Sequence, residues 1–360
     1  MKTIAFILYS FDAGGVERMT LHLAENYMKR GYKVDLVVIH PTGEYQDAVP
    51  KGVGVIPLSK VKARAALPGL IYYFRKRKPD IIFSAKDYLN VLVILAKKIS
   101  RSQGTLIVSS RVHLSEQAKR DPSANRTKKW VYRTYRYADH VVGVSRGVSS
   151  DIQAIARLPI VHTIYNPVIT KGLSDKMNQP VAHPFFLDSS KHVFLTVGRL
   201  HKQKDYETLL QAFDLVHKRN PQTALILVGD GEERGALETF VATAKLEDVV
   251  SFVGYQHNPY AYMKQADVFV LSSLYEGFGN VLVEAMAAGT QIVSTDCPSG
   301  PKEILKDGMY GHLVPVGHYE ELAMAMECAL LSPFPKESLI RQAHAYSVDT
   351  CAHHYEKLWL

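Results

Sequence analysis

Short apolar runs alternate with helix-length segments along this chain, break once, and then resume, and that rhythm leaves few folds open. Ile4 to Leu8, Val34 to Ile39, Val53 to Leu58, Asp80 to Phe83, Thr105 to Ser109, His140 to Val144 and Ile160 to Ile164 read as strands. The first of them, like several others, is continuously apolar rather than alternating, which is the pattern of a parallel strand covered by helices on both faces. Helical spacing fills the gaps, as in Val16, Met19, Leu23 and Tyr27 before the stop at Gly31. Asn166-Pro167 turns the chain out of this half. Residues 169–190 lack apolar periodicity and read as a linker. The rhythm then restarts with His192 to Val197, Ala224 to Val228, Val249 to Val253, Asp267 to Leu271 and Gln291 to Thr295. Helices are expected at Tyr206 to Lys218, Arg234 to Ala244 and Ser347 to Leu358. Such βαβ series predict an α/β chain of two doubly wound, Rossmann-like domains, 1–168 and 191–346, facing each other across a ligand cleft.

Composition narrows this further. At 360 residues and 47% hydrophobic, the chain has material for two real cores. No apolar run reaches the length of a membrane span. The opening MKTIAFILYSF is read as a strand rather than a signal peptide, because Asp12 and Gly14-Gly15 follow with no small-residue cleavage pattern. Cys297, Cys328 and Cys351 have neither metal spacing nor an even count, which fits a reducing cytoplasm. The net charge of +8 divides into +15 over residues 1–170 and −7 over the remainder. One half is therefore expected to meet an anionic surface.

Candidate chemistry gathers at strand ends. The strand to Leu271 leads into EGFGNVLVE, where Glu276 and Glu284 flank Gly277, Phe278, Gly279 and Asn280, and a helix begins near Asn280. A helix start offers free N–H groups and partial positive charge, so it suits a phosphate, while the two glutamates can meet hydroxyls of a sugar and a ribose. A plain strand–helix connection with two solvated glutamates is the alternative. Arg199 and Lys204 follow Gly198, five residues apart, where two cations can clamp a diphosphate or merely decorate a loop. Gly14 and Gly15 mark the first strand–helix junction, but the G-x-G-x-x-G dinucleotide spacing is absent. Arg111 and His113 follow another strand end, and a histidine there can bond a sugar hydroxyl or assist proton transfer. The loop Pro298-Ser299-Gly300-Pro301 suits close ligand contact, with Cys297 a bystander.

Basic residues cluster at Arg75 to Lys78, preceded by Leu67, Leu70, Ile71 and Phe74, and from Lys119 to Arg136, with Trp130, Tyr132, Tyr135 and Tyr137 interleaved. That mixture suits an anionic bilayer, although a solvated surface or a nucleic-acid groove would also account for it.

Taken in order, GGVER, SRVH, VSRGVSSDI, YNP, VGRLHKQKD, LVGDG, FVGY, ADVFVLSS, EGFGNVLVEAMAAG and CPSGPKEI resemble the retaining GT-B glycosyltransferases of family four over essentially the whole chain. The resemblance implies a nucleotide-sugar donor, UDP-linked, held mainly by the second domain, and an acceptor held mainly by the first. It implies that Arg199 and Lys204 bind the donor diphosphate, Glu284 the ribose, and Glu276 the transferred sugar. Backbone of Gly277, Phe278, Gly279 and Asn280 would meet phosphate or sugar oxygens, Gly15 would approach the diphosphate, and His113 would contact the donor sugar. Gly14 and Arg111 would face the acceptor. No cofactor and no metal are expected, protein cations and a helix dipole taking the metal's role. The last segment, 347–360, is expected to cross back to the first domain. Asp205, where many relatives carry Asn or Gly, is expected to cap the helix at Tyr206. The CPSGP loop is similar to that of enzymes building bacterial surface polysaccharide, and with the basic first domain the expected acceptor is polyprenyl-diphosphate-linked at the cytoplasmic membrane face, with no nucleic-acid partner; a basic nucleic-acid-binding protein is the non-enzyme alternative. A GT-B epimerase acting on a UDP-sugar alone is the competing enzyme class.

Overall fold

The computed structural model describes residues 1–12 and 14–360. The chain divides into two compact units, Met1–Pro167 with Ser347–Leu360, and Val168–Tyr346. Each is built on one wholly parallel sheet flanked by helices.

In the first unit β1 (Thr3–Leu8), β2 (Lys33–Val38), β3 (Gly54–Pro57), β4 (Ile81–Ala85), β5 (Thr105–Ser110), β6 (His140–Gly143) and β7 (His162–Thr163) lie in the order β3-β2-β1-β4-β5-β6-β7. Ile4 of β1 pairs with Val34 on one side and Ile81 on the other. In the second unit β8 (His192–Val197), β9 (Thr223–Val228), β10 (Val250–Gly254), β11 (Val268–Leu271), β12 (Gln291–Thr295) and β13 (His312–Val314) lie in the order β10-β9-β8-β11-β12-β13. Phe194 and Leu195 of β8 pair with Val268 and Phe269 of β11. Both sheets therefore start in the middle and wind outward both ways, with the reversal between β1 and β4 and again between β8 and β11. Beyond the carboxyl ends at such a reversal the connections leave to opposite faces, opening a crevice that ligands of these sheets use.

The β-branched and aromatic side chains of the strands account for the cores. Phe6, Leu36, Phe83 and Ile107 are buried with Tyr27 in the first unit, and Phe194, Leu227, Val270, Phe213 and Met326 in the second. The helix Val348–Glu356 belongs to the first unit's core: the Tyr27 hydroxyl donates to the Ala352 carbonyl (2.8 Å), and the Tyr355 ring meets Phe83 edge-on at 5.1 Å.

Several expectations are refined. The strand expected from Ile160 shrinks to His162–Thr163, because Ile160 follows Pro159 and stays 66% exposed at the sheet's edge. Residues 169–190 carry two short helices, Leu173–Met177 and Pro184–Leu187, and cluster with the second unit. In the helix Leu67–Arg77, Leu70 and Phe74 are buried, so its apolar face serves the core and only Tyr72 joins the basic run outside. β13 and the helices Tyr319–Leu331 and Lys336–Ala343 complete the second unit.

Candidate active site

The loops on either side of the β8–β11 reversal are stitched together. After β8, a Cβ on Gly198 would lie 2.8 Å from the Tyr206 hydroxyl and 3.4 Å from Lys204 Cε, so the missing side chain lets the loop fold back flat. A single 3₁₀ turn, Lys202–Lys204, follows. Leu274 N–H donates to the Gln203 carbonyl (2.9 Å), Gln203 Nε2 to the Tyr275 carbonyl (2.8 Å), and the Ser272 hydroxyl to the Lys204 carbonyl (2.7 Å). Asp205 does not cap the next helix as expected. It holds left-handed backbone (φ 49°) and its carboxylate accepts from the Thr208 hydroxyl (2.8 Å). Gly, Asn and Asp are the residues that most readily tolerate this backbone.

This stitching brings Lys204 Nζ to 2.5 Å from Glu276 Oε1, and the Ser273 hydroxyl to 2.7 Å from the same oxygen. Both side chains are largely shielded, at 17% and 9% exposure. An ammonium has three N–H donors and this pair uses one, so Lys204 retains donors for an anion. Both contacts fall on Oε1, which leaves Oε2 for a hydroxyl-bearing ligand. The neighbouring Cys297 thiol is pushed up to about 12 by burial and then by the Glu276 charge, so it stays protonated and is no nucleophile.

The helix Asn280–Ala288 starts from Gly279, whose φ of +94° is left-handed and which supplies no side-chain cap. A helix N-terminus carries partial positive charge, so a start at Gly279 favours an anion there. Glu284 lies one turn in and is buried. The CPSGP loop lies against the EGFGN loop so closely that a Cβ on Gly300 would run into the Phe278 carbonyl. Ser299 Oγ is buried there with no hydrogen-bond partner among the described residues. Arg199 is exposed and, among the described residues, makes no salt bridge. Lys204, Glu276, Glu284, Gly277, Phe278, Gly279 and Asn280 therefore share one edge of one sheet.

The first unit has a parallel arrangement at its own reversal. Gly14 precedes and Gly15 opens the helix Gly15–Lys29, whose buried Glu17 pairs with Lys86 on the loop after β4. Lys86 holds φ +108°, a strained setting for a residue with a side chain. His113 caps the helix Leu114–Arg120: its Nδ1 accepts from Glu116 N–H (3.3 Å) and lies 3.3 Å from Asp151 Oδ2. Arg111 is braced by Asn166 and by the Tyr355 hydroxyl (3.4 Å), and burial pulls its guanidinium down from its ordinary range. Ser273, Lys86 and Asp151 went unread in the sequence. Ser273 carries a detectable signal, three residues before Glu276 at a strand end, whereas Lys86 and Glu17 meet only once the strand order is known.

Comparison with known proteins follows this division. The model described as "Glycosyltransferase Family 4" matches residues 13–171, and "Glycosyl transferases group 1" matches residues 182–345. An uncharacterized glycosyltransferase of Methanocaldococcus jannaschii is 29% identical over 246 residues, which span 66% of this chain and 60% of that protein. A Campylobacter jejuni N-acetylgalactosamine-N,N'-diacetylbacillosaminyl-diphospho-undecaprenol 4-alpha-N-acetylgalactosaminyltransferase is 23% identical, covering 99% of this chain and 97% of its own. The crystal structure of Anabaena HepE in complex with UDP-glucose superposes with a TM-score of 0.78 at 20% identity, covering 99% of both chains.

Proposed function

Because the chain belongs to the glycosyltransferases, family 4 and group 1, with the GT-B fold, we propose that it moves a hexose or N-acetylhexosamine, with retention, from a UDP-sugar to a lipid-linked glycan in surface-polysaccharide assembly. One observation carries the donor side: Lys204, Glu276 and the Gly279-started helix converge at the reversal of the second sheet. The positive N-terminus of that helix and the spare donors of Lys204 suit a diphosphate, with Arg199 closing on it. Glu276 Oε2 accepts sugar hydroxyls, and Glu284 takes the ribose. In the reaction the acceptor oxygen bonds to the anomeric carbon from the face the diphosphate leaves. The carbon–oxygen bond to UDP breaks with its electron pair on UDP, and the acceptor's proton passes to a leaving-phosphate oxygen. Cations and helix N–H groups stabilise the charge gathering on that phosphate without a metal. The UDP-glucose of HepE supports the nucleotide, and the undecaprenol named for the Campylobacter relative supports the lipid link. Among the described residues no helix is long and apolar enough to cross a membrane, so contact with the inner membrane face would run through the basic surface of the first unit.

Thermal unfolding with a panel of nucleotides and nucleotide sugars in EDTA tests this. A ligand at 100 times its dissociation constant stabilises by about 2.7 kcal/mol, and UDP with one UDP-sugar is expected to do so. No response to any uridine or guanosine nucleotide would refute the donor site. Altered sugar formed from the donor alone would make the protein an epimerase instead, and an inverted anomeric signal in the product's NMR spectrum would refute retention.

A further inference from the structure

On the first unit a groove of about 640 Å³ is walled by Val61, Tyr88, Leu92, Leu95 and Trp130. Exposed apolar side chains scattered singly mean little. Here Val61, Tyr88 and Trp130, which are 72%, 47% and 43% exposed, converge from three separate segments on one concavity, which is the mark of a binding site. Tyr9 also lines it, its hydroxyl donating to the Val61 carbonyl (2.6 Å) and its ring edge-on to Tyr88 at 6.3 Å. Tyr9 follows β1 and Tyr88 follows β4, so the groove starts at the first sheet's reversal, beside Gly14-Gly15 and Lys86. The charged residues lining it, among the described residues, are Lys62, Arg64 and Arg126.

An apolar trough lined by three cations is complementary to a long apolar chain with an anionic head. We infer that the groove seats the isoprenoid chain of a phosphorylated isoprenoid acceptor, its tail against Val61, Leu95 and Trp130 and its phosphate among Lys62, Arg64 and Arg126. This rests on the lipid-linked acceptor proposed above. A second copy docking symmetrically on this face would bring its Lys62, Arg64 and Arg126 against the same three cations. A flat bilayer would call for a protruding apolar surface rather than a recessed one.

The test uses geranylgeranyl phosphate with the full-length protein carrying Trp359→Phe, so that fluorescence reports Trp130 alone. Saturable change is expected, weakened tenfold or more by Val61→Asp, which alters an exposed side chain, and by Arg126→Glu. Geranylgeraniol should bind more weakly, and inorganic phosphate should leave the signal unchanged. Equal binding by wild type and both variants would overturn the assignment. So would a Val61 dependence confined to phosphatidylglycerol vesicles, or to a concentration-dependent dimer. The UDP-sugar thermal response, and transfer to a water-soluble glycan, separate the two ideas. If both persist while geranylgeranyl phosphate does not bind, the groove assignment fails alone.

Discussion

The two sheets have the same winding, and at each reversal a lysine meets a glutamate, yet the pairs are mirror images in sequence. In the second unit the lysine follows the central strand and the glutamate follows its neighbour, Lys204 then Glu276. In the first unit the order is exchanged, Glu17 then Lys86. The supports differ as well. Glu276 shares its load with the Ser273 hydroxyl and stands beside a helix that starts from a left-handed glycine. Glu17 is buried inside its own helix, and the strain is carried by Lys86. Equivalent topology thus fixes where charge is gathered, while local sequence decides which sign is held and which is left available to a ligand.

The sharpest way to break this parallel is to remove each pair in turn. Glu276→Ala and Lys204→Ala should lower transfer by about 10²–10³-fold or more, the scale of losing one preorganised charge partner, with an unchanged circular-dichroism spectrum. Near-normal turnover in either variant would remove the second reversal from the chemistry. Lys86→Met should act differently, raising the acceptor KM several-fold while the UDP-sugar thermal response persists. Because it strands the buried Glu17, it should also cost about 2 kcal/mol in urea unfolding, below the roughly 3–5 kcal/mol of a fully buried pair because Lys86 is partly solvated. A raised donor KM instead would show that the first reversal serves the donor.

Glycine substitutions sharpen the contrast. Gly279→Ala places a side chain at φ +94°, where its Cβ has only ordinary contacts, so the cost should be the conformational one of about 1–2 kcal/mol. Gly14 has extended backbone that any residue adopts, but a Cβ there would meet a Glu17 carboxylate oxygen. Gly14→Ala should therefore disturb the Glu17–Lys86 pair, and Gly14→Ala combined with Glu17→Gln should show a non-additive stability in a double-mutant cycle. The smallest effect expected is chemical. A maleimide at neutral pH should label Cys328 promptly, with Cys297 and Cys351 reacting only on unfolding, since both are buried and both thiols are pushed up to about 12.

Much of this was legible because parallel strands announce themselves by continuous apolar runs, and the loop after each run is where ligands bind. EGFGN was readable for that reason, as was the helix beginning at Asn280. β13 was not, since its three paired residues, His312 to Val314, are too short a run to stand out. Nor was the failure of Asp205 to cap, because its left-handed backbone, which turns its carboxylate to the Thr208 hydroxyl, leaves no mark in the residue type alone. Lys86 was invisible for a topological reason: sixty-odd residues separate it from Glu17, and only the strand order β1-β4 makes them neighbours.

The return of Val348–Glu356 to the first unit has a consequence for biogenesis. All of Val168–Tyr346 is synthesised before Tyr355, so the second unit's sequence is complete before the segment that closes the first unit's core is made. The first unit, although begun earlier, lacks the contacts of Phe83 with Tyr355 and of Tyr27 with Ala352 until Val348–Glu356 is made. That interval exposes an apolar seam on the nascent chain, where a chaperone would be needed most. A nonsense mutation after Tyr346 would make the wait permanent, leaving a finished second unit tethered to a sticky, half-closed partner.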